Sequence, residues 1–271
     1  MFQQFVYRVL GRRAYIHLMA WRQRRQFTRY HYHDTESRLL VHFIKPGDVC
    51  LDVGANMGTY TFYLSRLVGA AGVVYSFEPV SGTFDGLMIN LSRSKLCNVS
   101  ARKIGMSNVT GVARITIPQI AGVPGHGRAS LSPPVSNEVA EQESIELTTI
   151  DEFCRFEGLG RVDFIKMDIE GAELPAVQGA QSILCNFRPV LLLEIDATHT
   201  ERFGYKPADL FRLLSSYGYG QALYWNGARL IAVSLASIED SGLPVKGVYN
   251  YFVVSPGLHN GLDRSSVPIT N

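Results

Sequence analysis

The sequence predicts an α/β fold built on a doubly wound, mainly parallel sheet, and three observations carry that reading. From residue 47 onward, short apolar runs alternate with stretches of helical periodicity, the pattern of strands and helices wound around one sheet. The run VLLLEI at 190–195 has no polar alternation until its end, as expected of a strand covered on both faces. With 271 residues, 46% of them hydrophobic, the chain can bury one large core with an extension beside it. The division that follows is a basic helical extension at 1–45, a main domain at 46–255 and a C-terminal tail at 256–271.

The elements follow in order. Residues 2–30 space Phe5, Val9, Ile16 and Trp21 roughly as a helix does, and Gly11 is expected to break it. Residues 48–53 are a short apolar strand stopped by Gly54, and 58–68 read as the next helix. A second strand at 73–77 ends at Glu78-Pro79 and leads into a helix over 82–94. The third strand spans 99–104. Two extra strands, 112–117 and 144–147, flank a Gly/Pro/Ser-rich loop at 121–137. A helix at 150–157 precedes a fourth main strand at 162–167, and one helix runs from Gly171 to about residue 184. The strand at 190–195, a helix near 207–216 and strands near 219–224 and 249–254 complete the series. In such sheets ligands bind beyond the carboxyl ends of the strands, at the point where strand order reverses.

Composition excludes several classes. Twenty-six basic residues against 24 acidic ones leave a net charge of +2, so no global field points to nucleic acid. Cys50, Cys97, Cys154 and Cys185 stand far apart with no C-x-x-C pair, which argues against a zinc site or a disulfide framework and for a reducing compartment. No apolar run reaches the roughly 18 residues of a membrane-spanning helix, and the N-terminus lacks the pattern of a secretory signal. The expectation is a soluble, cytoplasmic protein. Its charge is uneven, because Arg8, Arg12, Arg13, Arg22, Arg24, Arg25 and Arg29 lie in the first 33 residues with no Asp, Glu or Lys. This segment reads as a helical cap or a dimerisation arm of a homodimer. The alternative is peripheral contact of residues 2–30 with an anionic membrane, where lipid-linked substrates are found.

The first strand end, Leu51-Asp52-Val53-Gly54-Ala55-Asn56-Met57-Gly58, is a strand entering a glycine turn and then a helix. Gly54 lets backbone pass close to a ligand, and Gly58 lets the helix start against it. The spacing is G-x-x-x-G, not the G-x-G-x-x-G that cradles a pyrophosphate, so a nicotinamide dehydrogenase is disfavoured. Asp52 would repel a pyrophosphate but suits an ammonium group. Glu78, closing the second strand, can accept both hydrogen bonds of a ribose diol. A ligand with a ribose, a cationic amino-acid end and no phosphate is S-adenosylmethionine.

Beyond these residues the chain resembles the FkbM family of S-adenosylmethionine-dependent methyltransferases. The matching segments are DVGANMGTYT (52–61), FEP (77–79), GMSN (105–108), GRASL (127–131), TTIDEF (148–153), FIKMDIEGAE (164–173) and LLLEI (191–195), in the family's order over roughly half the chain. The resemblance implies a class I methyltransferase (Rossmann-like) fold with a seven-stranded sheet, and O-methylation of a hydroxyl, often of a sugar or polyketide. It implies a cofactor set of Asp52, Gly54, Ala55, Asn56, Gly58, Thr59, Glu78, Pro79, Met106, Ser107, Asn108 and Asp168. Asn108 departs from the family, whose members commonly carry an Asp there near the adenine amine. Its amide oxygen can accept the same bond. The acceptor is expected to be a sugar, glycan or other hydroxylated small molecule. A polyketide or lipid-linked acceptor and a catalytically inactive binding module are the alternatives.

Methyl transfer is an in-line displacement, so alignment does most of the work, but a poor hydroxyl nucleophile also needs a base or a metal. Lys166 and Asp168 fall on one side of the fourth strand, with Asp168 at its end. Glu170 and Glu173 both stand at a helix start, where the dipole favours carboxylates; the resemblance implies a site role for Glu170, whereas Glu173 reads as that local carboxylate. At the fifth strand end, Glu194 could serve as a base if burial raises its pKa, and His199 is the nearby histidine that could be a base instead. The catalytic candidates are thus Asp168, Glu194, His199 and Lys166. Asp168, Glu194 and Asp196 could alternatively hold Mg2+ or another divalent cation. The loop with His126 and Arg128 is placed as a lid. Tyr205, Tyr217, Tyr219, Tyr224 and Trp225 are either a sugar-stacking face or core.

Overall fold

The computed structural model describes residues 2–29, 35–132, 139–243 and 247–256. All but the first residue of the expected tail therefore lies outside the described residues. The chain opens with a short helix α1 (Phe2–Phe5), a π-helical turn (Val6–Leu10) and a long helix α2 (Gly11–Arg29). Gly11 does interrupt the helix, at a φ of +82° that favours glycine. Helix α3 (Thr35–Leu39) leads to the main domain, where strand β1 (Val49–Val53) alternates with α4 (Thr59–Val68), β2 (Val73–Phe77), α5 (Ser81–Ser94) and β3 (Val99–Arg102). The short strands β4 (Gly105–Met106) and β6 (Val123–Pro124) accompany two long ones, β5 (Gly111–Ile120) and β7 (Ala140–Thr148). Then come α6 (Ile150–Phe156), β8 (Phe164–Met167), α7 (Glu173–Gln178), α8 (Gln181–Phe187) and β9 (Val190–Glu194). The C-terminal part adds α9 (Ala197–Arg202), α10 (Pro207–Ser216), β10 (Gln221–Trp225), β11 (Leu230–Ser234), α11 (Leu235–Ser241) and β12 (Asn250–Val254).

The main sheet has the order β11-β10-β12-β9-β8-β1-β2-β3, so it holds eight strands where seven were expected, β11 being the addition. β3, β2, β1, β8 and β9 run parallel, while β12, β10 and β11 pair antiparallel. The doubly wound class is as the sequence predicts. Strand order reverses between β1 and β8, which places the switch point there. β9 shows why its sequence lacks alternation. Val190 and Leu192 pack with Phe27, Phe43, Tyr63 and Leu64 on one face, and Leu191 and Leu193 pack with Phe153, Ala176 and Leu210 on the other.

The two extra strands belong to a second, four-stranded sheet of order β4-β7-β5-β6. It has its own small core of Val80, Ile115, Ile117, Ile145 and Leu147. One expectation fails locally, since the helix after Gly171 is two helices. Gly179 lies so close to Ser107 that a Cβ there would stand 2.0 Å from the carbonyl oxygen, and the chain turns at this contact. Among the described residues, no helix is long and apolar enough to cross a membrane. All four cysteines are free.

Candidate active site

At the switch point the β1 end crosses the β8 end. Gly54 has a φ of +76°, and a Cβ there would sit 2.0 Å from the Asp168 carbonyl oxygen, so only glycine fits. The amides of Gly54 and Ala55 donate to the Phe77 carbonyl at 3.0 and 2.9 Å, tying this turn to β2. Glu78 is buried beside it, and its two carboxylate oxygens accept from Asn56 N at 3.0 Å and Val80 N at 2.9 Å. Burial pushes its carboxyl up to about 7 against the pull of those two bonds.

Around these residues lies an open cleft enclosing about 660 Å³, open solvent included, with polar and apolar groups converging on it. Its floor comes from Val53, Gly54, Asn56, Glu78, Pro79 and Met106. Its opposite wall comes from the second sheet and from the loop after β6, through Ile115, Gly127, Ala129, Leu131 and Ile145. Ser130 in that loop bridges to Thr116, and its hydroxyl donates to the Glu170 carbonyl at 3.1 Å. The described part of that loop thus lines the cleft through Gly127, Ala129 and Leu131. The side chain of His126 and residues 133–138 lie outside the described residues.

The acids divide into three settings. Asp52 stands behind the turn and does not line the cleft. It is fully buried, accepts from Thr61 Oγ1 at 2.6 Å, and faces Lys166 Nζ at 3.6 Å. Burial raises its carboxyl while Lys166 opposes the rise. Lys166, itself buried, donates to Gly54 O at 2.9 Å, lies 3.4 Å from Asp168 and sits 5.3 Å above the Tyr60 ring. Burial pulls its ammonium down, but Asp168, Asp52 and Glu194 outweigh this and hold it above its ordinary value. The expected direct contact of Asp52 with a ligand ammonium is therefore replaced by an internal ion pair, because the side chain leaves β1 on the face covered by α4.

Asp168 and Glu170 do line the cleft. Glu170 holds a left-handed φ of +55° and pairs with His199 Nδ1 at 3.0 Å. Burial, then the charges of Asp168 and Glu173, push Glu170 up to about 7. Glu194, at the end of β9, is pushed up to about 8 by burial and then by Asp168, though it lies outside the cleft lining. Glu173 is a local cap, as its position implies: Oε1 accepts from Ile169 N at 3.0 Å and Gly171 N at 3.4 Å.

The expected metal set is not assembled. Asp196 caps α9, accepting from Thr198 N at 2.8 Å and Thr198 Oγ1 at 2.7 Å, and those bonds outweigh burial to lower its carboxyl. Among the described residues, no three His, Cys, Asp or Glu side chains gather as metal ligands, so Asp168, Glu194 and Asp196 do not form one site. Other placements also differ from expectation. Ala55, Gly58, Thr59 and Ser107 support the turn and its neighbours without lining the cleft, and Thr59 accepts from Gln23 of α2 at 2.7 Å. Asn108 is exposed outside the cleft and donates to Gln178 Oε1 at 3.0 Å, so it does not reach an adenine site in this arrangement. Tyr205, Tyr219 and Tyr224 are core residues, not a stacking face. Sequence reasoning missed the apolar wall of Val80, Ile104, Ile115, Ile145 and Ile169. The one available signal was the Ile115/Ile117 alternation on a strand beside the loop.

Residues 52–220 match the model of the methyltransferase FkbM domain, which is more than half of the chain. The chain belongs to the FkbM methyltransferase family. It is 29% identical over 180 residues to the hexuronic acid methyltransferase AglP of Haloferax volcanii, covering 66% of each chain. It is 27% identical over 157 residues to methyltransferase sdnD of Sordaria araneosa, covering 48% of this chain and 59% of that protein. The chain thus spans about three fifths to two thirds of these curated relatives. The crystal structure of an FkbM methyltransferase from Methylobacillus flagellatus resembles it with a TM-score of 0.48 at 19% identity, over 76% of this chain and 43% of that one.

Proposed function

We propose that this FkbM-family chain transfers a methyl group from S-adenosylmethionine to a hydroxyl of a sugar, glycan or other hydroxylated metabolite. The observation that carries the reading is Glu78. Each of its oxygens accepts one backbone N–H and keeps a lone pair for a ribose hydroxyl, in a cleft entered by a glycine turn with no pyrophosphate cradle. The residues present therefore fit the cofactor, with Glu78, Gly54, Asn56, Pro79, Met106 and Asp168 as its holders. When bound, its sulfonium supplies an already activated methyl group.

The chain's own part is to align, to exclude water and to take a proton. Ile115, Ala129, Leu131 and Ile145 present an apolar wall that displaces water from the cleft. Glu170, poised near neutrality and held by His199, accepts the acceptor's hydroxyl proton on its carboxylate. Lys166 fixes the β8 end by its bond to Gly54 O and its charge beside Asp168. The relative named for a hexuronic acid supports a sugar acid as acceptor. The test is calorimetric titration of S-adenosylmethionine and S-adenosylhomocysteine into wild type and Glu78→Ala, followed by a mass-gain screen of uronic acids and their glycosides. Binding lost in the variant, with one added methyl on an acceptor, is the expected result. No binding to wild type overturns the proposal and favours a catalytically inactive methyltransferase-fold binding module.

A further inference from the structure

The N-terminal arm serves none of the chemistry above, yet its exposed surface has a definite character. On its inner side α2 packs Tyr15, Ile16, Ala20 and Phe27 against the domain, with Phe27 stacked on Phe62 at 4.6 Å. Along the rest of α2, Arg12, Arg13, His17, Trp21, Arg22 and Arg25 are exposed. Arg25 lies 4.9 Å over the Trp21 ring. Among the described residues, Arg8, Arg12, Arg13, Arg22 and Arg25 have no carboxylate within ion-pair distance. At the tip of the arm three large apolar side chains stand in solvent: Phe5 at 57%, Val9 at 61% and Leu10 at 61% exposure. Ile120 of the β5–β6 hairpin is exposed as well.

We infer that this face docks the protein on an anionic phospholipid surface, with Phe5, Val9 and Leu10 inserted shallowly and the arginines on the headgroup phosphates. Charge complementarity selects that occupant. A second copy on a two-fold axis would set the same unpaired arginines against each other. A nucleic acid would satisfy the arginines but leave the aliphatic tip in water. Only a bilayer interface offers phosphates and hydrocarbon a few ångströms apart. The arm is also joined to the cleft. Val6 and Tyr15 pack on Val123, and Gln4 Nε2 donates to the Ala121 carbonyl, a few residues before Gly127 and Ala129 of the cleft wall. Docking the tip therefore brings that wall near the headgroups. The inference stands whether or not the chain methylates a sugar.

The test is co-sedimentation of the full chain with phosphatidylcholine vesicles, with and without phosphatidylserine, at low and high salt. Binding only to the phosphatidylserine vesicles, released by salt, is expected. The Arg12→Gln/Arg13→Gln/Arg22→Gln variant should lose about a hundredfold in partitioning, at about fivefold per arginine. The Phe5→Ser/Val9→Ser/Leu10→Ser variant should bind the phosphatidylserine vesicles several-fold more weakly at low salt, and both should melt like wild type. Failure of wild type to sediment with anionic vesicles overturns the inference. So does binding that neither variant weakens. Self-association abolished by the apolar variant, without vesicle binding, assigns the face to a second copy instead.

Discussion

At the β2 end of the cleft Glu78 is pinned by two backbone N–H groups, whereas at the β8 end Glu170 has one histidine partner and like-charged neighbours. Both carboxyls are pushed up to about 7, mainly by burial. The difference lies in what holds them. A carboxylate with two fixed donors is an aimed acceptor and suits binding. One facing other carboxylates gains by taking a proton and suits acid–base work. Asp52, the third strand-end acid, does neither, because Lys166 cancels it inside the fold.

The largest effect should come from breaking that internal pair. Lys166→Met leaves Asp52 buried without its counter-charge, and urea unfolding should show a loss of about 3–5 kcal/mol. Restoring most of it with Asp52→Asn in the same chain would show that the pair, not the packing of Lys166, is responsible. Next, Glu170→Gln should lower kcat on an identified acceptor by at least about a hundredfold while leaving cofactor affinity nearly unchanged. A variant that loses affinity and keeps its rate would reverse the roles of the two walls. Glu78→Gln should weaken S-adenosylhomocysteine by about 1–3 kcal/mol in calorimetry.

The pH dependence sharpens the contrast. Folded Glu78 keeps its proton up to about 7, whereas unfolded it releases it near the ordinary 4.5. Between those values the folded chain binds more protons, so this group's contribution to stability is present at low pH and lost as pH rises through about 7. Ribose binding needs the carboxylate, so cofactor affinity should run the other way, rising through about 7 and flattening in Glu78→Gln. The smallest effect is expected at Asn108→Asp, which lies outside the cleft. Cofactor affinity should change by less than about 0.5 kcal/mol, and a larger gain would place residue 108 at the adenine after all.

Glu78 and the Gly54 turn were legible in the sequence because both sit where a strand ends, and the end of a strand is a local signal. Which face Asp52 takes was not, because its partner Lys166 becomes its neighbour only through the β1–β8 register. The same limit hid the second sheet. Its two long strands were partly visible from their own apolar residues, but β4 is two residues long and exists only by pairing with β7. The split between α7 and α8 was likewise invisible, since the Ser107 carbonyl that Gly179 approaches comes from a distant part of the chain. Asn108 was read by analogy with relatives, whereas its exposure and its bond to Gln178, both set by tertiary contacts, put it outside the cleft lining.

Floor and roof of the cleft are anchored in different cores, the floor in the main sheet and the roof in the small cluster of Ile115, Ile117, Ile145 and Leu147. Mutational drift in the roof is therefore buffered from the floor. Substitutions in that cluster can reshape the surface that greets an acceptor without entering the core behind the donor end, which makes the 111–148 segment a unit to exchange between relatives.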